Sequence, residues 1–192
     1  MRSVLASLGP PAGLTTNFVM QGCYEIANDP EILLSTVLGS CVAACIREPV
    51  SGIGGMNHFL LPELAAKDGS EASLRYGAHS METLVNAVVA ASGVSDRRRL
   101  EAKVFGGGAV VSGLSDVGGR NSAFVRTWLA RDGLRVLAED LGGREGRRVL
   151  YHPSTGRAWC KPISSTDSRI LAEQEKPKAQ PAKAPKLEIE LF

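Results

Sequence analysis

Two polar islands inside apolar stretches hold the residues best suited to chemistry. They are Leu38-Gly39-Ser40-Cys41 and, seventeen residues after the cysteine, His58 within Gly54-Gly55-Met56-Asn57-His58-Phe59. A thiolate is the strongest common side-chain nucleophile, and a histidine within hydrogen-bond reach makes it available at neutral pH. Free cysteine is also among the residue types most often buried as core filling, so its setting decides. Gly39 and Ser40 interrupt the run over residues 32–42, where a core strand would continue with branched apolar residues. Glycine lets the backbone turn sharply there, and amides exposed at such a turn are candidate oxyanion donors. His58 lies near the end of a second run, residues 53–61, closed by Pro62. Both candidates therefore stand near strand ends, where a rigid sheet can bring them together. Gly39, Ser40 and Asn57 are the expected oxyanion or site-lining groups.

The remaining titratable residues read as structural. Cys45 and Cys160 read as core or half-buried thiols, and Cys23, after Gly22, as ordinary. His79 falls among polar neighbours on a helix-like segment and reads as surface. His152, before Pro153, reads as part of a hairpin. Gly106-Gly107-Gly108 follows a strand-like segment without the lysine or the full glycine pattern of a phosphate cradle, so a tight turn beside the substrate groove is expected.

Several strings together carry a resemblance. Ser35-Thr36-Val37-Leu38-Gly39-Ser40-Cys41-Val42 is followed by Gly55-Met56-Asn57-His58-Phe59-Leu60-Leu61-Pro62, then by Arg75-Tyr76-Gly77 and Glu101-Ala102-Lys103-Val104-Phe105-Gly106-Gly107-Gly108. Gly119-Arg120-Asn121 and Tyr151-His152-Pro153-Ser154-Thr155-Gly156-Arg157 complete the order. Over residues 17–163 the chain resembles the CheD family of chemoreceptor glutamine deamidases. The resemblance implies an amide hydrolase acting on glutamine side chains of methyl-accepting chemotaxis receptors, with Cys41 as nucleophile and His58 as base. A CheC-like phosphatase is implied as a second candidate partner, and a supporting role near the site is open for Arg120 and Asn121. The family's threonine lies six residues before its cysteine, a position held here by Ser35. Thr36 is the family's residue type one place later. The two point to opposite faces of a strand, and the even separation from Cys41 favours Ser35, with Thr36 as the alternative. Two other readings stay open: a non-catalytic adaptor to receptors or to the phosphatase, and a thiol esterase on receptor glutamyl methyl esters.

Composition narrows the rest. A chain of 192 residues fits one domain with a sizeable core. Apolar content of 44% with 22% charged residues is ordinary for a globular protein. A net charge of +2 gives no electrostatic footprint for nucleic acid, and Arg97-Arg98-Arg99 reads as a solvated connection. No apolar run approaches the roughly 18 residues of a membrane helix, so no membrane insertion is expected. Four cysteines match neither a disulfide framework nor a zinc motif; no metal or cofactor is expected, and a reduced, cytoplasmic protein fits best.

The expected fold class is α+β: a mixed or antiparallel sheet with two main helices packed on it. Strand-like segments are residues 18–27, 32–38, 42–46, 53–61, 100–105, 134–141, 148–151 and 157–162, the last two paired across Ser154-Thr155-Gly156. Helical spacing marks residues 74–91 and 121–131, with Asn121 as a candidate N-cap and Gly133 beyond the second helix. Residues 1–16 are expected to be a mobile leader, 17–163 the deamidase domain, and 164–192, rich in proline, lysine and alanine, a disordered tail.

Overall fold

The computed structural model describes residue 10 and residues 12–61, 69–110 and 116–163, with the side chains of 69–71 left aside. Most of the expected leader and the whole expected tail lie outside the described residues. Thr15 and Thr16, assigned above to the leader, already belong to a strand.

Three layers stack: two helices, a five-stranded sheet and a four-stranded sheet. In chain order the elements are β1 (Thr15–Phe18), β2 (Tyr24–Ala27), β3 (Ile32–Leu38), β4 (Val42–Arg47), β5 (Gly54–Asn57), α1 (Gly69–Ser92), a 3₁₀ turn (Arg97–Arg99), β6 (Glu101–Gly106), α2 (Val117–Asp132), β7 (Arg135–Leu141), β8 (Arg147–His152) and β9 (Arg157–Pro162). One sheet runs β1-β3-β8-β9 and the other β2-β5-β4-β6-β7. Both are mixed, parallel at β1/β3 and β6/β7 and antiparallel elsewhere. The expected α+β class with two helices on a mixed sheet is what folds, with the strands divided between two sheets.

Strand β4 explains the layering. Val42, Ala44 and Ile46 face the helices, packing with Met81, Leu84, Val85 and Val88 of α1 and with Val125 and Leu129 of α2. Cys45 and Ala43 face the other way, into the space between the sheets, with Leu34, Leu38, Phe105, Val149 and Tyr151. A strand covered on both faces must be apolar throughout, which is why no alternation shows in its sequence. Burying each such aliphatic side chain contributes about 1.5–3 kcal/mol, more than intrinsic helix propensity supplies per residue. Helix α1 therefore forms on its apolar stripe.

The expected strand over residues 18–27 is two strands in two different sheets. A turn at Met20–Cys23 separates them, closed by Cys23 N–H donating to the Met20 carbonyl at 3.0 Å, with Gly22 at φ +82°. That left-handed corner suits only glycine, and it carries the chain from the four-stranded sheet into the five-stranded one. The bend at Gly39-Ser40 does the same between β3 and β4. The two crossings lie at one end of the space between the sheets.

Helix α2 starts earlier than its periodicity suggested. Asp116 is its N-cap, accepting from Gly119 N–H at 2.9 Å, so Asn121 lies inside the helix and does not cap it. Gly133 ends the helix in the left-handed region, as the sequence indicated. Of the three arginines, Arg97 pairs with Glu82 of α1 and Asp132 of α2, Arg99 with the buried Glu48, and Arg98 locally with Asp96.

Candidate active site

Strand register brings the cysteine and histidine together. Val42 and Phe59 form an antiparallel pair through two 2.9 Å backbone bonds, Val42 N–H to Phe59 O and the reverse. Both side chains belong to the helix-side core, where Phe59 meets Phe124 edge-on at 5.7 Å. Their neighbours Cys41 and His58 must face the opposite way, as diagonal neighbours on one face of the pairing, within mutual reach of their side chains. Cys41 is fully buried and His58 6% exposed.

Thr36 completes the arrangement. Its hydroxyl donates to the Val19 carbonyl at 2.8 Å, and its oxygen lies 2.8 Å from His58 Nδ1. A hydroxyl has one proton; with that proton on Val19, His58 Nδ1–H is the donor to Thr36. The imidazole is then the tautomer whose Nε2 is the acceptor, as a base needs.

Expected first at this position was Ser35, and the geometry reverses the order. Thr36 lies between Leu34 and Leu38 on the inter-sheet face of β3, opposite Val149, whereas Ser35 points out of the other side, opposite Leu150. Counting by twos from Cys41 fails because the strand ends at Leu38. Gly39 and Ser40 form a bend, and alternation does not carry across a bend.

Gly39 and Ser40 stand where expected, immediately before the thiol, and their backbone is held rigidly. Gly108 N–H donates to the Gly39 carbonyl at 2.7 Å, Asn121 Nδ2 to the Ser40 carbonyl at 3.0 Å, and Gly107 N–H to the Cys41 carbonyl at 2.7 Å. Three successive carbonyls are thereby pinned. The triple glycine serves this contact: a Cβ on Gly106, at φ +111°, would stand 2.1 Å from the Cys41 carbonyl oxygen. It is a cradle for backbone rather than for phosphate.

Asn57 does not line the site. It shares the helix-side face with Phe59, accepts from Ala44 N–H at 2.9 Å, and donates to Ser80 of α1. Side-chain alternation separates it from the adjacent His58.

Asn121 takes the supporting place that the resemblance left open for it, and Gln21 escaped the sequence reading. Buried Asn121 joins the two halves of the site, donating to Ser40 and accepting from Leu61 N–H at 2.8 Å. Gln21, at the corner of the Met20–Cys23 turn, places its carboxamide oxygen 3.6 Å from Cys41 Sγ. The signal for it was Gln21-Gly22 itself, a polar residue and a glycine interrupting an apolar run. The turn is anchored to the histidine: Gly22 N–H donates to the His58 carbonyl at 2.7 Å, and His58 N–H to the Cys23 carbonyl at 3.0 Å. Tyr76 of α1 stands beside the same turn. Its hydroxyl is raised above the ordinary phenol range by partial burial, then by the thiol groups of Cys23 and Cys41.

The other thiols and histidines behave differently. Burial pushes the Cys45 thiol far up and the Cys160 thiol up to about 12, so both stay protonated at neutral pH. His152 bonds the Pro30 carbonyl through Nε2 and Thr155 through Nδ1, a structural role as expected. His79 is exposed. Among the described residues no group of three or more His, Cys, Asp or Glu side chains could hold a metal ion.

The family model described as CheD chemotactic sensory transduction matches residues 60–162. A protein of Sinorhizobium medicae named "Probable chemoreceptor glutamine deamidase CheD" is 45% identical over 175 residues, covering 91% of this chain and 94% of its own. Proteins of the same name from Rhizobium meliloti and Bordetella petrii are 45% and 46% identical, covering 91% and 86% of this chain and 94% and 76% of their own. The chain belongs to the CheD family. Cys41 and His58 fall before the segment that the family model matches, and within the span shared with the relatives.

Proposed function

We propose that this protein deamidates glutamine side chains of chemotaxis receptors, with Cys41 as nucleophile, His58 as base and acid, and Thr36 orienting the imidazole. The observation that carries the reading is the chain Val19 carbonyl, Thr36 hydroxyl, His58 Nδ1, which leaves Nε2 as the acceptor of the ring. The curated relatives' shared name supplies the substrate class.

His58 Nε2 takes the thiol proton, and Sγ attacks the carboxamide carbon to form a tetrahedral intermediate. The proton passes from His58 to the departing nitrogen, ammonia leaves, and a thioester remains. Water then gives a proton to His58 and its oxygen to the thioester carbon, releasing glutamate and restoring the thiol. The oxyanion is stabilised by the amides of Ser40 and Cys41. Carbonyl and N–H are opposed in a trans peptide. With the Gly39 and Ser40 carbonyls held by Gly108 and Asn121, those two N–H groups point away from α2 and the glycine loop.

A receptor presents its glutamines on folded signalling helices, so recognition uses a surface groove around Cys41, and free glutamine is a poor substrate for want of remote contacts. The same substrate implies a cytoplasmic location; among the described residues no helix is long and apolar enough to cross a membrane. A pure adaptor, with a CheC-like phosphatase as its partner, would have no use for an imidazole anchored by a hydroxyl beside a thiol. Ammonia and methanol release from receptor cytoplasmic fragments, amidated and methyl-esterified, tests the reading. Ammonia release that disappears in Cys41→Ala is the expected result. Methanol release alone would establish the esterase, and no release with retained receptor binding would establish the adaptor.

A further inference from the structure

The residue closest in chemistry to the substrate is the protein's own Gln21, whose side-chain oxygen accepts from the Cys41 thiol at 3.6 Å. Its backbone is not free to leave. Gly22 and Cys23 are bonded to both sides of the His58 peptide, and Cys23 N–H closes the turn on Met20. Gln21 is exposed while Cys41 is fully buried, so this side chain lies between solvent and the nucleophile. An incoming carboxamide can turn it aside by rotation about its own bonds, but its amide group stays at the mouth of the site.

We propose that Gln21 Oε1 reads the leaving nitrogen of the substrate and so selects amide over ester. This rests on the deamidase reading. In the resting site Oε1 has the thiol proton as its donor. When that proton passes to His58, the acceptor loses its donor and faces a thiolate. The NH₂ group of a substrate carboxamide restores a donor at that place, one N–H to Gln21 and the nitrogen lone pair open to the proton from His58. A methyl ester carries no hydrogen on its leaving oxygen, and its binding leaves Oε1 facing two acceptors. A site that hydrogen-bonds one group discriminates against the analogue that lacks it.

The test uses the full chain with Gln21→Ala and Gln21→Met, the second keeping the length and cover of the side chain without its acceptor. Substrates are receptor cytoplasmic fragments with glutamine, and the same fragments with glutamyl methyl ester. Both variants are expected to lose about tenfold in kcat/KM for ammonia release, the scale of one hydrogen bond. Methanol release does not fall, and the pH midpoint of Cys41 alkylation by iodoacetamide moves down, because the thiol loses the acceptor that held its proton. Faster ammonia release would make Gln21 a self-blocking group and overturn the proposal. Loss in Gln21→Ala but not Gln21→Met would reduce it to cover over the thiol, and equal losses on amide and ester, or an alkylation midpoint moved up, would show that it activates the nucleophile and overturn the proposal. Wild-type protein that releases no ammonia would overturn the deamidase reading itself, an outcome separate from all of these.

Discussion

Replacing Thr36 by valine removes one hydroxyl and keeps the shape, and two buried groups lose their partner. His58 Nδ1–H and the Val19 carbonyl both meet that hydroxyl at 2.8 Å, inside a residue with no exposed surface. Each buried polar group left unsatisfied costs about 1–3 kcal/mol. The Val19 share falls on the folded state alone, so the midpoint of chemical denaturation should drop. The His58 share falls on catalysis, because an unanchored ring samples the wrong tautomer and orientation. Taken as transition-state free energy, about 1–3 kcal/mol corresponds to roughly a 5- to 150-fold loss in kcat/KM. Thr36→Ser keeps the hydroxyl and should recover most of that loss. Ser35→Ala, buried on the face of β3 turned away from the imidazole, should leave turnover within about twofold of wild type, because the hydroxyl it loses is not the one that meets His58. Ammonia release from receptor fragments, measured beside urea denaturation of each variant, gives both quantities. Wild-type turnover in Thr36→Val, or a comparable loss in Ser35→Ala, would refute the assignment of the hydroxyl.

Other perturbations separate the supporting parts. Asn121→Ala strips partners from the Ser40 carbonyl and Leu61 N–H and should destabilise the fold by about 2–4 kcal/mol, with kcat lowered more than KM raised, read from denaturation and steady-state kinetics. Gly106→Ala forces a side chain into φ +111° and against the Cys41 carbonyl; the denaturation midpoint should fall by the equivalent of about 2–3 kcal/mol or more, and an unchanged midpoint would contradict the close contact. Mass mapping after alkylation near pH 8 should find Cys41 and exposed Cys23 modified and Cys45 and Cys160 untouched, since burial raises the last two thiols. Those raised thiols also predict alkaline weakness. Below the ordinary thiol value of 9.0 both states hold these protons, and above it the unfolded chain releases them while the native state keeps them, until about 12 for Cys160. Stability should therefore decline from about pH 9 upward, and Cys45→Ala should flatten that decline in pH-dependent denaturation.

Element type was legible in the sequence because periodicity reports burial directly. Both helices, the β8–β9 hairpin and the stop at Gly133 all follow from local pattern. What periodicity does not carry is which sheet a strand joins. Residues 18–27 look like one strand because Val19 and Met20 are apolar, yet a four-residue turn at Gly22 sends the two halves into separate layers. The choice between Ser35 and Thr36 failed for the same reason, since a chain that changes sheet at Gly39-Ser40 resets its alternation. Local pattern showed Asn121 only as a polar residue near a helix start, where capping is the ordinary explanation, and its supporting place near the site came from the resemblance alone. Its bonds to residues 60 and 81 positions away have no local signature. The cysteine and histidine themselves were legible because each broke an apolar run beside glycine.

Cys41 and Cys45 show what the second sheet adds. They share one face of the same chain segment, and both are buried among the same inter-sheet residues. Four residues along a strand separate them by about 13 Å, enough to pass from the open end of the layer to its middle. In the middle Cys45 pairs in register with Lys103 and Met56, and burial holds its thiol protonated. At the end, two chain crossings run side by side, one bringing Gln21 and the turn bonded to His58, the other bringing the pinned carbonyls of Gly39 and Ser40. At the end of the layer the backbone leaves both sheets and Gln21 reaches the sulfur, whereas inside a sheet the amides and carbonyls are spent on the ladder. The nucleophile proposed for this fold therefore stands at the crossing point. A cysteine moved inward along β4 would be filler, however close in sequence it lay to the histidine's partner strand.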